Sequence, residues 1–590
     1  MSFILGLMFN RRTSFSNLIV PRFFFPGFLL FLSLFLQVVN GQQRLAESYR
    51  TAKEYLEQRG EVFFRVPLSE SEKINGLSNT ISIDYSRGDF IYAYASQRGF
   101  DSVTARNLTF FVETPPSLKA KIVSQPVEFP GEWSSYPSYD EYIAFMHKLA
   151  LSFPEICRLD TIGYSVNKRK ILALKISDHA LTDETEPDFL YTSTMHGDEP
   201  GGFLLLLRLA DLLLNQYGKD LRVTNLVDQL QIWINPLSNP DGAYFLGSEN
   251  VFGAKRFNIN NIDLNRNFPD PEEGPHPDGE EYQPETLAMM EFMKSRHFVL
   301  SANLHGGAEV VNYPWDTWEK FHPDNDWYQF ISRQYADTAH SFRSQYMTDW
   351  VNGITNGFAW YSISGGRQDY VNYFLQGREV TLELSYDKIP AADTLQWLWD
   401  CNYRSLLNYM EQTLFGVTGN VTDRITSNPI MSKIEIPGHD SLNSFVWSDS
   451  FSGRFNRMLK EGTYDLRFSA DGYNDTLITS VQVTDFNTIL LDVMLTPRYS
   501  GAVTYQGPVI RVINPFTAGL KISIVTALQE KIIINLFDAA GRKVVPDYKI
   551  TSVEGENTLI INGESLSPGI YILKINSPSM SHESTVVKTE

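Results

Sequence analysis

Between residues 137 and 415 two hydrophobic patterns take turns along the chain. Runs of five to seven mostly apolar residues at 189–195, 230–234, 298–304 and 380–384 are bounded by turn residues, which predicts buried strands. Between them, 139–153 and 203–215 carry apolar residues at helical spacing, the second almost without polar interruption. Strands alternating with helices predict a mostly parallel sheet covered on both faces. In such sheets ligands bind beyond the carboxyl ends of the strands. There the runs lead into polar turns: His196-Gly197-Asp198-Glu199, Asn235-Pro236, His305-Gly306-Gly307 and Ser385.

On either side the pattern changes. Residues 45–59 have helical period, 81–85 and 89–94 alternate, and Pro115, Pro116, Pro126 and Pro130 punctuate the next stretch of chain. This predicts a small α+β domain whose role the sequence leaves open, either an inhibitory pro-segment or an accessory module. After Phe415 the helical periods stop. Short alternating stretches separated by Gly438, Gly453-Arg454, Gly462-Thr463 and Asp471-Gly472 predict a small β-sandwich, and a second β unit comes after it. The expected organisation is a signal peptide over 1–41, an α+β domain over 42–130 and an α/β domain over 131–414. A β-sandwich over 415–497, a linker over 498–510 and a β domain over 511–590 complete it.

Composition narrows the function. A net charge of -19 argues against a nucleic-acid binder, which needs a Lys/Arg footprint. With only Cys157 and Cys401 the chain is no disulfide scaffold; one bridge or two buried thiols are both open. Arg11, Arg12 and Arg22 precede an apolar run over 23–39, and Asn40-Gly41 come next, which reads as an export signal. An N-terminal membrane anchor is the other reading of that run. No later segment is long and apolar enough to span a bilayer.

The chemistry gathers in the α/β region. His196 and Glu199, three apart on a turn, and His305 at another strand end form a set of two imidazoles and one carboxylate. Such a set suits zinc and leaves a coordination position free. A lone His-x-x-Glu arises easily by chance, so its company matters. Arg256, Asn265 and Arg266 lie in the Asn-rich segment 255–269, and Tyr361 lies before Gly365-Gly366-Arg367-Gln368. Glu383 sits inside the apolar strand 380–384, where an unpaired carboxylate is costly unless it has a cation, a hydrogen-bond network or a catalytic role. A structural salt bridge to one of the arginines is the bland alternative.

These motifs, in this order through about 134–412, resemble the zinc metallocarboxypeptidases, particularly the subfamily of carboxypeptidases D, E and N. The resemblance implies a mixed, mostly parallel eight-stranded sheet between helices, followed by small all-β sandwich domains. It implies one Zn2+ held by His196, Glu199 and His305. It makes Glu383 the general base and proton shuttle and Arg256 the group that polarises the scissile carbonyl. Asn265, Arg266 and Tyr361 become the clamp on the terminal carboxylate, for which the arginine fork is well shaped. In that subfamily the positions of Asp316 and Gln368 line the pocket for the last side chain. A carboxylate there favours C-terminal Lys or Arg, unless Arg367 also points inward. A pocket for neutral or apolar ends is the alternative. Asp198 stands where many members of the subfamily carry Asn, and a domain like 42–130 is unusual among them.

The stretch 416–496 resembles the transthyretin-like domain that comes after the catalytic domain in that subfamily. Asn514-Pro515-Phe516, the turn 536–543 and the turn 566–571 resemble the sorting domain of the type IX secretion system of Bacteroidetes. With a signal at the other end, this implies a secreted or cell-surface protein of a Gram-negative bacterium. Its expected partners are peptide or protein C-termini and the secretion machinery, with no nucleic acid and no lasting membrane span. The rival from another class is a secreted binding protein that keeps the fold without the chemistry. Loss of Glu383 or of a ligand would favour it, and none is lost.

Overall fold

The computed structural model describes residues 45–121, 133–498, 509–526, 529–553, 555–578 and 580–589. The expected signal peptide and most of the expected linker lie outside them. The chain divides into two compact units, 1–496 and 497–590.

Within the first unit, residues 45–121 build their own sheet. A helix over 45–59 precedes β1 (Val62–Pro67), β2 (Ile81–Arg87), β3 (Phe90–Ala95) and β4 (Phe111–Val112). The order is β2-β3-β1-β4, with β3 antiparallel to both its neighbours. Phe64, Ile83, Ala93, Phe100 and Phe110 form a separate apolar core.

The α/β region holds eight strands. They are β5 (Cys157–Tyr164), β6 (Lys170–Ile176), β7 (Asp188–Ser193), β8 (Gln231–Asn235), β9 (Leu300–His305), β10 (Glu309–Tyr313), β11 (Ile354–Asn356) and β12 (Arg378–Leu384). Their order is β11-β10-β12-β9-β7-β8-β6-β5. The central four run parallel, while β10, β6 and β5 bring antiparallel pairings at the flanks. The sheet is therefore mixed with a parallel heart, as expected. Helix Tyr139–Ser152 starts at a capping box in which Ser138 and Glu141 satisfy each other's backbone N–H groups. Helix Gly201–Gln216 buries Phe203, Leu204, Leu206, Leu207 and Leu213 against the sheet. At about 1.5–3 kcal/mol for each fully buried side chain, such contacts are the main stabilising contribution.

From Gly416 onward every regular element is a strand among the described residues. Strands Gly416–Asp423, Arg454–Arg457, Thr488–Leu490 and Val493–Leu495 form one sheet and Lys433–Glu435, Val446–Trp447, Gly462–Ser469 and Thr476–Val483 another. Val417, Ile434, Phe455, Leu466 and Phe468 fill the space between them. A buried ion network joins this sandwich to the α/β region. Asp324 accepts from Arg457 at 2.6 Å and from Arg378, the first residue of β12, at 2.8 Å. The second unit is a separate pair of sheets around Leu520, Ile522, Ile534, Leu536 and Leu573. Cys157 and Cys401 are both buried free thiols, and burial pushes each pKa up to about 12. No described helix is long and apolar enough to cross a membrane.

Candidate active site at the carboxyl edge of the sheet

Strand ends place the central residues. After β7 the chain turns through Thr194, whose φ of 60° is unusual for a β-branched residue. Asn239 pins this turn: its backbone N–H donates to the Thr194 carbonyl at 3.1 Å and its side-chain amide to that of Met195 at 3.1 Å. The turn presents His196 and Glu199 just before helix Gly201–Gln216 begins. His305 ends β9, and in the parallel register of β9 with β12 it lies opposite Glu383.

Three donor atoms converge. His196 Nδ1 and His305 Nδ1 lie 3.0 and 2.9 Å from Glu199 Oε2 and 3.1 Å from each other. His196 Nε2 lies 3.1 Å from Asp263 Oδ1; donating its proton there leaves Nδ1 with a lone pair. Two ring nitrogens and a carboxylate oxygen facing one point suit a cation better than a hydrogen-bonded cluster. The donor types and their burial fit zinc. Two further groups, Asp178 with His179 and Glu184, and Asp324 with His439 and Asp440, also lie within metal-holding range. The former joins an exposed imidazole to two half-buried carboxylates, and the latter is taken up by arginines.

Around this point sits a dense charge network. Arg256 donates from Nη1 to Glu199 Oε1 and from Nε to Asp263 Oδ2, both at 3.1 Å. Lys388 Nζ, five residues beyond Glu383, donates to Glu199 Oε1 at 2.6 Å. Burial opposes charge on Glu199, but His196 and Lys388 outweigh it and hold its pKa well below the usual carboxylate range. Burial and Arg256 disfavour protonated His196, yet Glu199 and Asp263 prevail and raise its pKa. Burial is the main cause that lowers His305 to about 4, so this ring is neutral. Glu383 pairs with no arginine among the described residues, and its Oε2 finds no partner. Burial first, then the charge of Glu199, raise its pKa well above the ordinary value. The salt-bridge alternative for Glu383 is not what the structure has.

A cavity of about 30 Å3 runs from His196, Glu199 and His305 past Glu383, Arg256, Asn265 and Tyr361 to Asp316. Arg266 lies behind this lining. It donates from Nη1 to the Asn265 carbonyl at 2.9 Å and from Nε to the Ser78 carbonyl at 3.2 Å, while its Nη2 has no partner among the described residues. At the far end Asp316 Oδ1 accepts from Asn312 at 3.1 Å and from Gln368 Nε2 at 3.0 Å. No cation pairs with Asp316 among the described residues, and burial foremost pushes its pKa up to about 6. Gly357 walls this end because a Cβ there would stand 1.7 Å from Asp316 Oδ1. Arg367 turns away beneath the sheet to Glu379, at 2.7 Å.

All ten residues singled out from the sequence therefore fall in or against one site. Sequence reasoning did not find Asp263, Lys388 or Asp84. Asp263 lies in the same Asn-rich segment as Asn265 and Arg266. Lys388 comes soon enough after the Glu383 strand that its position was a signal.

Residues 142–405 match the zinc carboxypeptidase family, and residues 514–589 match the secretion system C-terminal sorting domain family. The chain is 35% identical over 355 residues to carboxypeptidase M of Mus musculus, covering 58% of this chain and 79% of that protein. It is 34% identical over 405 residues to the carboxypeptidase N catalytic chain of Mus musculus, covering 62% and 86%. The solved carboxypeptidase A from Helicoverpa armigera aligns with a TM-score of 0.45 at 17% identity, over 59% of this chain and 96% of that one.

Proposed function

The chain belongs to the zinc carboxypeptidase family, and we propose that it removes single residues from peptide C-termini, preferring lysine and arginine, with one zinc held by His196, Glu199 and His305. The support is the convergence of those three donors beside Glu383 and Arg256, with a cation-free Asp316 at the other end of the same cavity.

Zinc held there supplies Lewis acidity, which acidifies a water and polarises a carbonyl. The protein's own groups do the rest. Asn265, Arg266 and Tyr361 bind the terminal carboxylate, so that only a free chain end is aligned for cleavage. Arg256 donates to the carbonyl oxygen as negative charge develops on it. Glu383, ionised once a metal dication neutralises the surrounding carboxylates, takes a proton from water and returns it to the departing amine. Asp316 pairs with the substrate's terminal ammonium or guanidinium, and Gln368 holds Asp316 in place.

Metal analysis tests the ligand set. The full chain is expected to bind one zinc, lose activity to a chelator and regain it with zinc, and His305→Ala should abolish both metal and activity. A variant with full zinc and full turnover would contradict the assignment. The matched sorting domain, read with residues 1–41 as an export signal, supports delivery to the cell surface or medium. Deleting 514–590 should retain the protein within the producing cell envelope, and unchanged export would refute that role.

A further inference from the structure

Helix Arg367–Phe374 starts against the Asp316 end of the cavity, and its first residue is an arginine with no exposed surface. The next two residues hold Asp316. Gln368 Nε2 donates to its Oδ1 at 3.0 Å, and Asp369 Oδ2 accepts from its backbone N–H at 3.0 Å. The backbone N–H of Arg367 donates to Asn265 Oδ1 at 2.9 Å. Its guanidinium leaves in another direction, toward the strands that carry the ligands and Glu383. Nη2 donates to Glu379 Oε2 of β12 at 2.7 Å, and Nη1 donates to the Thr192 hydroxyl of β7. Glu379 in turn accepts from Ser301 at 2.6 Å and from Asn303 at 3.0 Å, both on β9. With a period of two along a strand, Glu379, Thr381 and Glu383 share one face of β12, and Ser301, Asn303 and His305 share one face of β9. One guanidinium thus joins the foot of these two columns to the residues that hold Asp316 and Asn265.

We propose that Arg367 is a positioning residue: it holds Asn265, Asp316 and Gln368 at a fixed place relative to His305 and Glu383, and so sets where the substrate's last side chain lies from the reacting bond. The roles of those residues rest on the function proposed above. Stability is a poor reason for such a pair. Taking two charges fully out of water costs about as much as their attraction returns, and apolar side chains of the same volume fill such a space as well. What an arginine adds is direction, because its planar fork donates to fixed points. Here the fork reaches two strands at once, β7 and β12, and leaves Nε buried with no partner among the described residues. A second tether lies further along the helix, where Asn372 donates to the Glu379 carbonyl at 3.1 Å. That bond ties the helix to β12, and Arg367 adds β7 and Asn265. A slip of about 1 Å in such a frame is enough to lower a rate by about a hundredfold.

Arg367→Met combined with Glu379→Gln in the full chain removes both charges at similar volume and leaves no lone ion buried. Zinc content should match the parent, while kcat/KM on Arg-ended peptides should fall by about tenfold or more. Leu-ended peptides, which do not use Asp316, should lose less, so that the Arg-over-Leu ratio drops by about threefold or more. A smaller change in that ratio would overturn the proposal and leave the pair a purely structural one. Arg367→Lys keeps the charge without the fork and carries the test if the paired variant does not fold; it should lower the same ratio, and a lysine variant equal to the parent would overturn the positioning role. Amide hydrogen exchange gives a test free of turnover. Exchange over 366–374 of the paired variant should speed by about tenfold or more, with helix Tyr139–Ser152 unchanged, and parental exchange over 366–374 would overturn the proposal. Absence of turnover in every form would count against the carboxypeptidase reading alone, and the exchange result would still decide this one.

Discussion

The two ends of the catalytic cavity treat charge in opposite ways. Around His196, Glu199 and His305, four carboxylates share cations: Glu199 and Asp84 touch Lys388 and Arg256, Asp263 touches Arg256 and His196, and Asp198 lies 4.0 Å from Lys388. At the other end Asp316, Asp369 and Asp270 lie together with no ion pair among the described residues. Asp316 accepts from two amides, Asp369 from the backbone N–H groups of Asp316 and Thr317, and Asp270 from Thr317 and Gly365. Burial and the charge of Asp316 raise Asp369 well above the ordinary carboxyl range. The ligand end thus gives its carboxylates ion-pair partners within the protein, to which a metal would add charge. The far end has no such partner among the described residues, and on the proposed function a basic side chain of the substrate supplies one.

The largest effect should come from the ligand end. Glu383→Gln keeps the shape but cannot accept a proton, so turnover should fall by about a hundred- to ten-thousand-fold with zinc content unchanged. A loss below about tenfold would remove Glu383 from the role of base. At the far end, Asp316→Asn leaves a bound guanidinium unpaired in a dry pocket. This should cost about 2–5 kcal/mol of kcat/KM on Lys- and Arg-ended peptides and little on Leu- or Phe-ended ones. Equal losses on all four would mean that Asp316 only shapes its loop. The smallest effect is in pH. The raised pKa of Asp316, about 6, means that its charge is present above that pH and lost as pH falls through it. The ratio of kcat/KM for Arg over Leu ends should therefore decline below about pH 6, by up to about tenfold per unit. A ratio flat from pH 7 to 5 would detach the preference from this carboxylate.

Much of this site was legible in the sequence because its pieces are local. The runs at 189–195 and 298–304 lead straight into His196, Glu199 and His305, and strand periodicity located 189–195, 298–304 and 380–384 to within a few residues of β7, β9 and β12. Other strands were passed over. β5 and β6 flank the sheet, and the polar residues within 157–164 blur the pattern of β5. What one sequence withholds is register and docking. That His305 faces Glu383 depends on how β9 pairs with β12, and composition does not encode that pairing. That Asp84 reaches Arg256 depends on a packing of two sheets far apart in the chain. Lys388 stands close to Glu383 in the sequence, but its bond to Glu199 was not readable there. The direction of Arg367 is likewise set by its partner Glu379, a pairing that spacing alone does not reveal.

One measurement goes straight to the difference between the two ends. The kcat/KM of the full zinc-loaded chain should be determined on peptides identical but for a final Arg, Lys, Leu or Phe, with the Arg peptide also amidated. Arg and Lys are expected well above Leu and Phe, by about tenfold or more, with no cleavage of the amidated peptide. A preference for Leu or Phe would contradict the assignment of Asp316 as the acid that awaits the substrate's charge.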